Sequence, residues 1–222
     1  MVVIHNAVPP REKALEKAPD PFLRNGGEWG GREGEDEPKR GRFVLNVGSR
    51  FPYKNVAGLI RAFALMRRDE SELSDVRLVV VGPPDARYPG AEDEAARCGV
   101  AEAVDFVGYV DHDALGALYR DAALLAVPSL YEGFGLPTAE AMNAGTPVVS
   151  SNRASLPEVA GGAALLVDPE DDAAFAAAMA RVLNDEVLAA ALVQRGSERV
   201  TAFGLQAFGA AHLEVYDRAA RG

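Results

Sequence analysis

Hydrophobic residues in this chain fall into runs of strand length that alternate with helical patterns. The run FVLNVG at 43–48 precedes a helical pattern over 56–66, and VRLVVVG follows at 76–82. These runs are apolar at successive positions, which is typical of strands buried on both faces of a parallel sheet. The order strand, helix, strand predicts a βαβ unit.

The alternation continues to the end of the chain. Helices are predicted at 91–97, 114–119, 137–143, 171–201 and 205–220, and strands at 104–110, 122–129, 146–151 and 163–167. Strands and helices that alternate in this way pack with helices on both faces of one sheet. The pattern therefore predicts an α/β fold with a Rossmann-like, doubly wound parallel sheet flanked by helices.

The beginning of the chain does not follow this alternation. Residues 25–41 are rich in glycine and charge, a composition typical of a flexible linker or loop. Before them, residues 2–8 form a short apolar stretch that ends at two prolines and predicts a strand or connector. We predict a connector at 1–24, a linker at 25–41 and one domain at 42–222.

Composition limits the functions that this domain can have. The 222 residues are 48% hydrophobic, and 23 Lys and Arg against 33 Asp and Glu give a net charge of -10, which repels nucleic acid. A small phosphorylated ligand would need a few placed cations and backbone N–H groups. The single cysteine, Cys98, excludes an internal disulfide framework. No run reaches the length of a membrane span or signal peptide, so we expect a cytoplasmic protein, or one held at a membrane by a partner.

The most informative segment is PSLYEGFGLPTAEAMNAG at 128–145, which joins a buried strand to a helix. Its turn contains Gly133 and Gly135, and glycine lets a backbone approach a ligand closely. Pro137 suits the first turn of the helix. We therefore expect the N–H groups of residues 135–138 to be free at the positive end of the helix, where they could bind a phosphate.

Two carboxylates, Glu132 and Glu140, flank this turn. Carboxylates are poor partners for phosphate but good acceptors of hydrogen bonds from sugar hydroxyls on either side of a diphosphate. The alternative is a pair of surface carboxylates near a helix N-terminus, which is a common arrangement. The glycine turn and the preceding buried strand favour the functional interpretation.

The spacing of Glu132 and Glu140, with seven residues between them, resembles the motif of retaining group 1 (family 4-like) glycosyltransferases of the GT-B fold. The sequence EGFGLPTAEAMNAGTPVVSS, followed by LPEVAGGAALLVDP at 156–169, is similar to that family, as is VGSRFPYKN at 47–55. The opening VVIHNAVPP resembles the connector from the family's N-terminal half. The resemblance implies that the chain is the C-terminal, donor-binding half of a GT-B enzyme.

The resemblance also implies roles for single residues. Lys54 and Arg50 would hold the donor diphosphate, Glu132 would hold the transferred sugar, and Glu140 would bind the ribose. The strand that contains Val107 would lie near the base. The implied donor-binding residues are Gly48, Arg50, Lys54, Val107, Glu132, Gly133, Phe134, Gly135, Leu136 and Glu140, and the implied catalytic residues are Glu132, Lys54 and Arg50.

The implied activity is retaining transfer of a hexose from a UDP-, GDP- or ADP-sugar to a sugar or lipid-linked acceptor, without a cofactor or a metal ion. Such transfer serves polysaccharide or glycoconjugate biosynthesis and needs an N-terminal half, supplied in cis or in trans. One alternative is a nucleotide-sugar-binding or interaction module without turnover of its own. Another is an epimerase or a phosphorylase on the same fold.

A different signal lies at Asp111, His112 and Asp113, which match the Asp-x-Asp metal motif of another glycosyltransferase fold. The three residues directly precede a helical pattern, where aspartate serves as an N-cap. We predict that Asp111 caps the helix.

Overall fold

The computed structural model describes residues 41–221, in which strands and helices alternate. The strands are β1 (Gly41–Val47), β2 (Arg77–Val81), β3 (Val104–Val107), β4 (Ala122–Val127), β5 (Val148–Ser151) and β6 (Leu165–Val167). The helices are α1 (Val56–Asp69), α2 (Ala91–Arg97), α3 (His112–Asp121), α4 (Leu136–Ala144), α5 (Leu156–Ala160), α6 (Asp172–Asn184), α7 (Glu186–Val200) and α8 (Leu205–Arg221). The predicted connector at 1–24 and nearly all of the predicted linker lie outside the described residues.

The strands form one parallel sheet in the order β3-β2-β1-β4-β5-β6. Leu45 of β1 lies opposite Val79 on one side and Leu125 on the other. The chain therefore fills the sheet outward in one direction and then returns to fill the other, with the switch between β1 and β4. This arrangement confirms the predicted doubly wound fold, whose ligands bind outside the carboxyl ends of the strands at the switch point.

The core has two layers because successive residues of each strand face opposite sides of the sheet. On one side, Val44 packs in a cluster with Phe63 of α1 and Phe175 of α6. On the other side, Leu45 packs in a cluster with Met142 of α4. This double burial explains why apolar residues occupy successive positions of the central strands, as the hydrophobic pattern predicted.

One predicted strand is too long. The run at 104–110 pairs with β2 only as far as Val107, because the next hydrogen bonds converge on a single donor. The N–H of Gly82 lies 3.1 Å from the carbonyl oxygen of Val107 and 3.0 Å from that of Gly108. The ladder therefore ends there, and the apolar residues beyond Val107 lie in a loop.

The structure also corrects two predictions of helices. The predicted helix at 171–201 is divided into α6 and α7 by Asp185, whose carboxylate accepts from Leu188 N at 2.9 Å and caps α7. Helix α5 was not predicted, because its 5 residues are too few to show a helical period. The predicted cap at Asp111 is confirmed, since its Oδ1 accepts from Ala114 N at 2.8 Å. None of the helices within residues 41–221 is long and apolar enough to cross a membrane.

Candidate functional site

Two loops meet at the switch point of the sheet. The β1 loop (residues 48–55) follows β1, and the β4 loop (residues 128–135) follows β4. They are neighbours because the two strands pair directly. The N–H of Leu130 donates to the carbonyl oxygen of Tyr53 at 2.7 Å and joins the loops. Residues that are far apart in the sequence therefore share one edge of the sheet.

Lys54 and Glu132 form the central contact between these loops. Lys54 Nζ lies 2.6 Å from Glu132 Oε1, and the two side chains are only 15% and 11% exposed. Ser129 Oγ donates to the same carboxylate oxygen at 2.7 Å. A charge-assisted hydrogen bond that is largely shielded from water is stronger than an exposed ion pair. The structure thus brings together two of the three predicted catalytic residues, from separate motifs.

Glycines allow the backbone to pass closely beneath Lys54. Gly48 has a φ of 151°, and a β-carbon there would lie 3.4 Å from Lys54 Cε. Gly82, at the end of β2, has a φ of 144°, and its β-carbon would lie 1.9 Å from the carbonyl oxygen of Gly48. Any side chain at residue 82 would therefore collide with the backbone that leads into the β1 loop.

The turn into α4 has fewer free backbone donors than the sequence suggested. Gly135 adopts the left-handed conformation, with a φ of 98°, and precedes the first residue of α4. Thr138 N–H donates to Gly135 O at 3.0 Å, so the prediction that it is free was wrong. Pro137 has no N–H. Among residues 41–221, the donors left at this helix N-terminus are those of Gly135 and Leu136, and the Leu136 side chain is exposed.

Glu140 has a different partner from Glu132. Its Oε2 accepts a hydrogen bond from the Tyr119 hydroxyl at 2.8 Å. Burial, together with the charge of Glu140, raises the pKa of the Tyr119 phenol well above its ordinary value. The phenol therefore stays protonated and acts as a donor. In the described part of the chain no donor bonds the other oxygen of Glu140, Oε1.

Arg50 lies in a separate environment from Lys54, although both belong to the β1 loop. Its side chain is 6% exposed and pairs with Glu92 at the start of α2. The guanidinium carbon lies 4.6 Å from the ring centre of Phe106 in β3. Arg50 Nε is buried and has no hydrogen-bond partner among residues 41–221. An unpaired buried N–H is unfavourable, so this donor is an unsatisfied polar group of the site.

The remaining predicted residues lie at the same edge of the sheet. Val107 is the last residue of β3, and Gly133 is exposed, with nothing within 4 Å of a β-carbon built there. The ring of Phe134 meets that of Phe203 edge to face, with centroids 5.4 Å apart. Phe203 is fully buried, so the segment after α7 supports the β4 loop.

Sequence reasoning missed the residues that support the predicted ones: Ser129, Tyr119, Glu92 and Ser155. Ser155 Oγ lies 2.8 Å from the carbonyl oxygen of Glu132 and 2.9 Å from that of Phe134. Each supporting residue comes from a different element, and nothing in the local sequence marks its partner. Ser129 alone had a signal, because it follows a buried strand directly.

A doubly wound sheet with polar side chains and glycine turns at its switch point is the arrangement in which α/β domains commonly bind ligands. The family model described as "Glycosyl transferases group 1" matches residues 30–199 of the chain. The chain therefore belongs to the group 1 glycosyltransferases, as the resemblance implied.

Known proteins agree with this assignment. The O-antigen chain mannosyltransferase B of Escherichia coli is 38% identical over 65% of this chain and 37% of its own length. The D-inositol 3-phosphate glycosyltransferase of Salinispora arenicola is 38% identical over 82% of this chain and 42% of its own length. The structure of sucrose-phosphate synthase from Thermosynechococcus elongatus matches with a TM-score of 0.70 and 32% identity, over 80% of this chain and 45% of that one. The chain thus spans about two fifths of the length of these curated relatives.

Proposed function

We propose that this chain binds a nucleoside diphosphate sugar between the β1 and β4 loops and forms the donor half of a retaining glycosyltransferase. The observation that carries the proposal is the contact between Lys54 and Glu132 at the switch point. It places a cation suited to a diphosphate beside a carboxylate suited to sugar hydroxyls. The relatives named as mannosyltransferase and glycosyltransferase support the same class of reaction.

In this proposal the diphosphate is the leaving group, and positively charged groups and N–H donors of the protein bind it. Lys54 and the N–H group of Leu136 bind its oxygens, and Arg50 supplies a second positive charge from the same β1 loop. Negative charge on the diphosphate grows as its bond to the sugar breaks. Interactions with these donors therefore strengthen in the transition state and lower the barrier. Protein groups rather than a metal ion stabilise the leaving diphosphate in this arrangement.

The two carboxylates recognise the two ends of the donor. The carboxylate of Glu132 accepts hydrogen bonds from hydroxyls of the transferred sugar, and backbone N–H groups of residues 133–135 donate to its oxygens. Glu140, held by Tyr119, offers Oε1 to the ribose hydroxyls. The base lies near Val107 at the end of β3. The acceptor, a sugar or a lipid-linked sugar, is bound by an N-terminal half supplied in cis or in trans. The match covers only 42% of the length of the Salinispora arenicola relative, which leaves room for such a half and supports this part of the proposal.

Calorimetric titration of the chain with UDP, GDP and ADP, and with UDP-glucose, GDP-mannose and ADP-glucose, tests the proposal. We expect saturable binding of one nucleotide class and a loss of about tenfold or more in affinity for Lys54→Ala and for Glu140→Ala. Each variant removes a hydrogen bond to a charged group, which contributes about 1.5–3 kcal/mol. Glu186→Ala, an exposed carboxylate of α7, is the control. A folded parent chain that binds none of the six compounds contradicts the proposal.

Tyr119→Phe tests the assignment of Glu140 to the ribose. The variant keeps the buried ring and removes only the hydroxyl that orients the carboxylate. We expect the affinity for the preferred ribonucleoside diphosphate to fall about fivefold, because the carboxylate of Glu140 is no longer held in the orientation that accepts from the ribose hydroxyls. The affinity for the 2′,3′-dideoxy analogue should stay within about twofold, since that analogue has no hydroxyl for Glu140. An equal loss of affinity for both compounds in calorimetry would show that Glu140 does not bind the ribose hydroxyls. Tyr216→Phe, at an exposed tyrosine of α8, is the control.

A further inference from the structure

Ser155 lies in the loop between β5 and α5 and contacts the β4 loop from one side. Its Oγ is 2.8 Å from the carbonyl oxygen of Glu132 and 2.9 Å from that of Phe134. A serine hydroxyl has one proton, so it donates to one of these carbonyls at a time. Both carbonyl oxygens are nevertheless held on the side of the β4 loop that faces Ser155.

The direction of these carbonyls fixes the direction of two N–H groups. No peptide bond in the described part of the chain is cis. In a planar trans peptide the C=O and the N–H point in opposite directions. The carbonyl of Glu132 shares its peptide with the N–H of Gly133, and the carbonyl of Phe134 shares its peptide with the N–H of Gly135. Both N–H groups therefore point away from Ser155, and within residues 41–221 neither donates to another protein group.

The loop that carries Ser155 is itself held in place. Ala154 has a φ of 53°, a left-handed conformation that is unfavourable for a residue other than glycine. Arg153 N–H donates to Ser151 Oγ at 3.1 Å on one side of it. On the other side, Leu156 is fully buried, and its Cδ2 lies only 2.6 Å from where a β-carbon on Gly135 would be. The position of the Ser155 hydroxyl is thus determined by packing and by the backbone.

We propose that Ser155 is a positioning residue for recognition of the donor's sugar. By holding the carbonyls of Glu132 and Phe134, it presents the N–H groups of Gly133 and Gly135 as a pair of donors to oxygens of the transferred sugar. This inference rests on the proposed function. Lys54 and Glu140, which meet the nucleotide part of the donor, form hydrogen bonds with other side chains and not with Ser155. Loss of the hydroxyl should therefore impair binding of the sugar and spare the nucleotide.

The test compares Ser155→Ala with the parent chain in calorimetric titrations of UDP, UDP-glucose, GDP and GDP-mannose. For the nucleotide class that the parent binds, we expect the sugar conjugate to bind about fivefold to tenfold more weakly, which is the range of one lost hydrogen bond. The free diphosphate should change by less than about twofold. Ser155→Thr, which keeps the hydroxyl, should restore binding of the conjugate. Ser197→Ala removes a serine hydroxyl that donates to a backbone carbonyl on the surface of α7 and is the matched control.

Two results overturn the inference while leaving the proposed function intact. One is unchanged affinity of Ser155→Ala for the sugar conjugate, and the other is equal weakening of conjugate and free diphosphate. A parent chain that is folded but binds neither compound contradicts the proposed function itself, and the inference falls with it. Thermal unfolding of each variant, followed by circular dichroism, separates a change in recognition from a loss of the fold.

Discussion

Gly82→Ala is expected to lower the free energy of unfolding by about 3 kcal/mol. The new β-carbon would lie 1.9 Å from the carbonyl oxygen of Gly48 and 2.6 Å from its carbonyl carbon, and both are backbone atoms. They cannot move away easily, because Gly48 N–H is bonded to Val81 O at 2.9 Å and continues the pairing of β1 with β2. The collision adds about 1–3 kcal/mol to the roughly 1–2 kcal/mol cost of a positive φ in alanine.

Urea unfolding followed by circular dichroism measures this loss, and Gly90→Ala provides the control. Gly90 has a φ of 136°, similar to that of Gly82, but nothing lies within 4 Å of its β-carbon position. The control variant should therefore lose only the stability that a positive φ costs in alanine, about 1–2 kcal/mol, without the cost of a collision. Equal losses for both variants would mean that the backbone around Gly48 can move aside at little cost.

Glu132→Gln is expected to tighten binding of the free nucleoside diphosphate by about tenfold. In the structure the charge of Lys54 is already neutralised by Glu132 at 2.6 Å, in surroundings with little exposure to water. A bound diphosphate has to compete with that carboxylate for the ammonium group. Glutamine keeps the size of the side chain and can still accept from Ser129, but it removes the competing charge. Electrostatic interactions between groups shielded from water are large enough to produce this effect.

Calorimetry with UDP or GDP, whichever the parent chain binds, provides the measurement. Glu140→Gln is the matched control, because it removes the charge of the other carboxylate of the motif, whose hydrogen-bond partner is Tyr119 rather than Lys54. Only the variant at residue 132 should bind the diphosphate more tightly. Weaker binding by Glu132→Gln would show that its carboxylate orients Lys54 for the ligand more than it competes with it.

The fold could be predicted because its signal is repeated along the chain. The central strands are apolar on both faces, as Val44 and Leu45 illustrate, and helices such as α1 have one apolar stripe. The pattern does not contain the order of strands in the sheet. The 5-residue helix α5 and the division at Asp185 were missed because one short turn, or one capping residue, changes the periodicity too little.

The candidate site could be predicted only where its residues lie in one segment. Glu132, Gly135 and Glu140 belong to a single strand-turn-helix unit, so their spacing alone indicates a site. The state of Thr138 was predicted wrongly, because the left-handed turn at Gly135 closes a hydrogen bond before the regular helix begins. The surroundings of Arg50 could not be predicted from the sequence, because its partners Glu92 and Phe106 come from α2 and β3.

The ion pair between Lys54 and Glu132 joins positions separated by 78 residues, and this distance along the chain bears on how the protein folds and unfolds. Contacts between such distant segments form slowly, because a large loop must be closed before they contribute any stability. A ligand that bridges the β1 and β4 loops acts as a reversible cross-link across the centre of the sheet. It binds only the native state, so its stabilising effect grows with the logarithm of its concentration. A donor bound as proposed would thus protect the central pair of strands from opening.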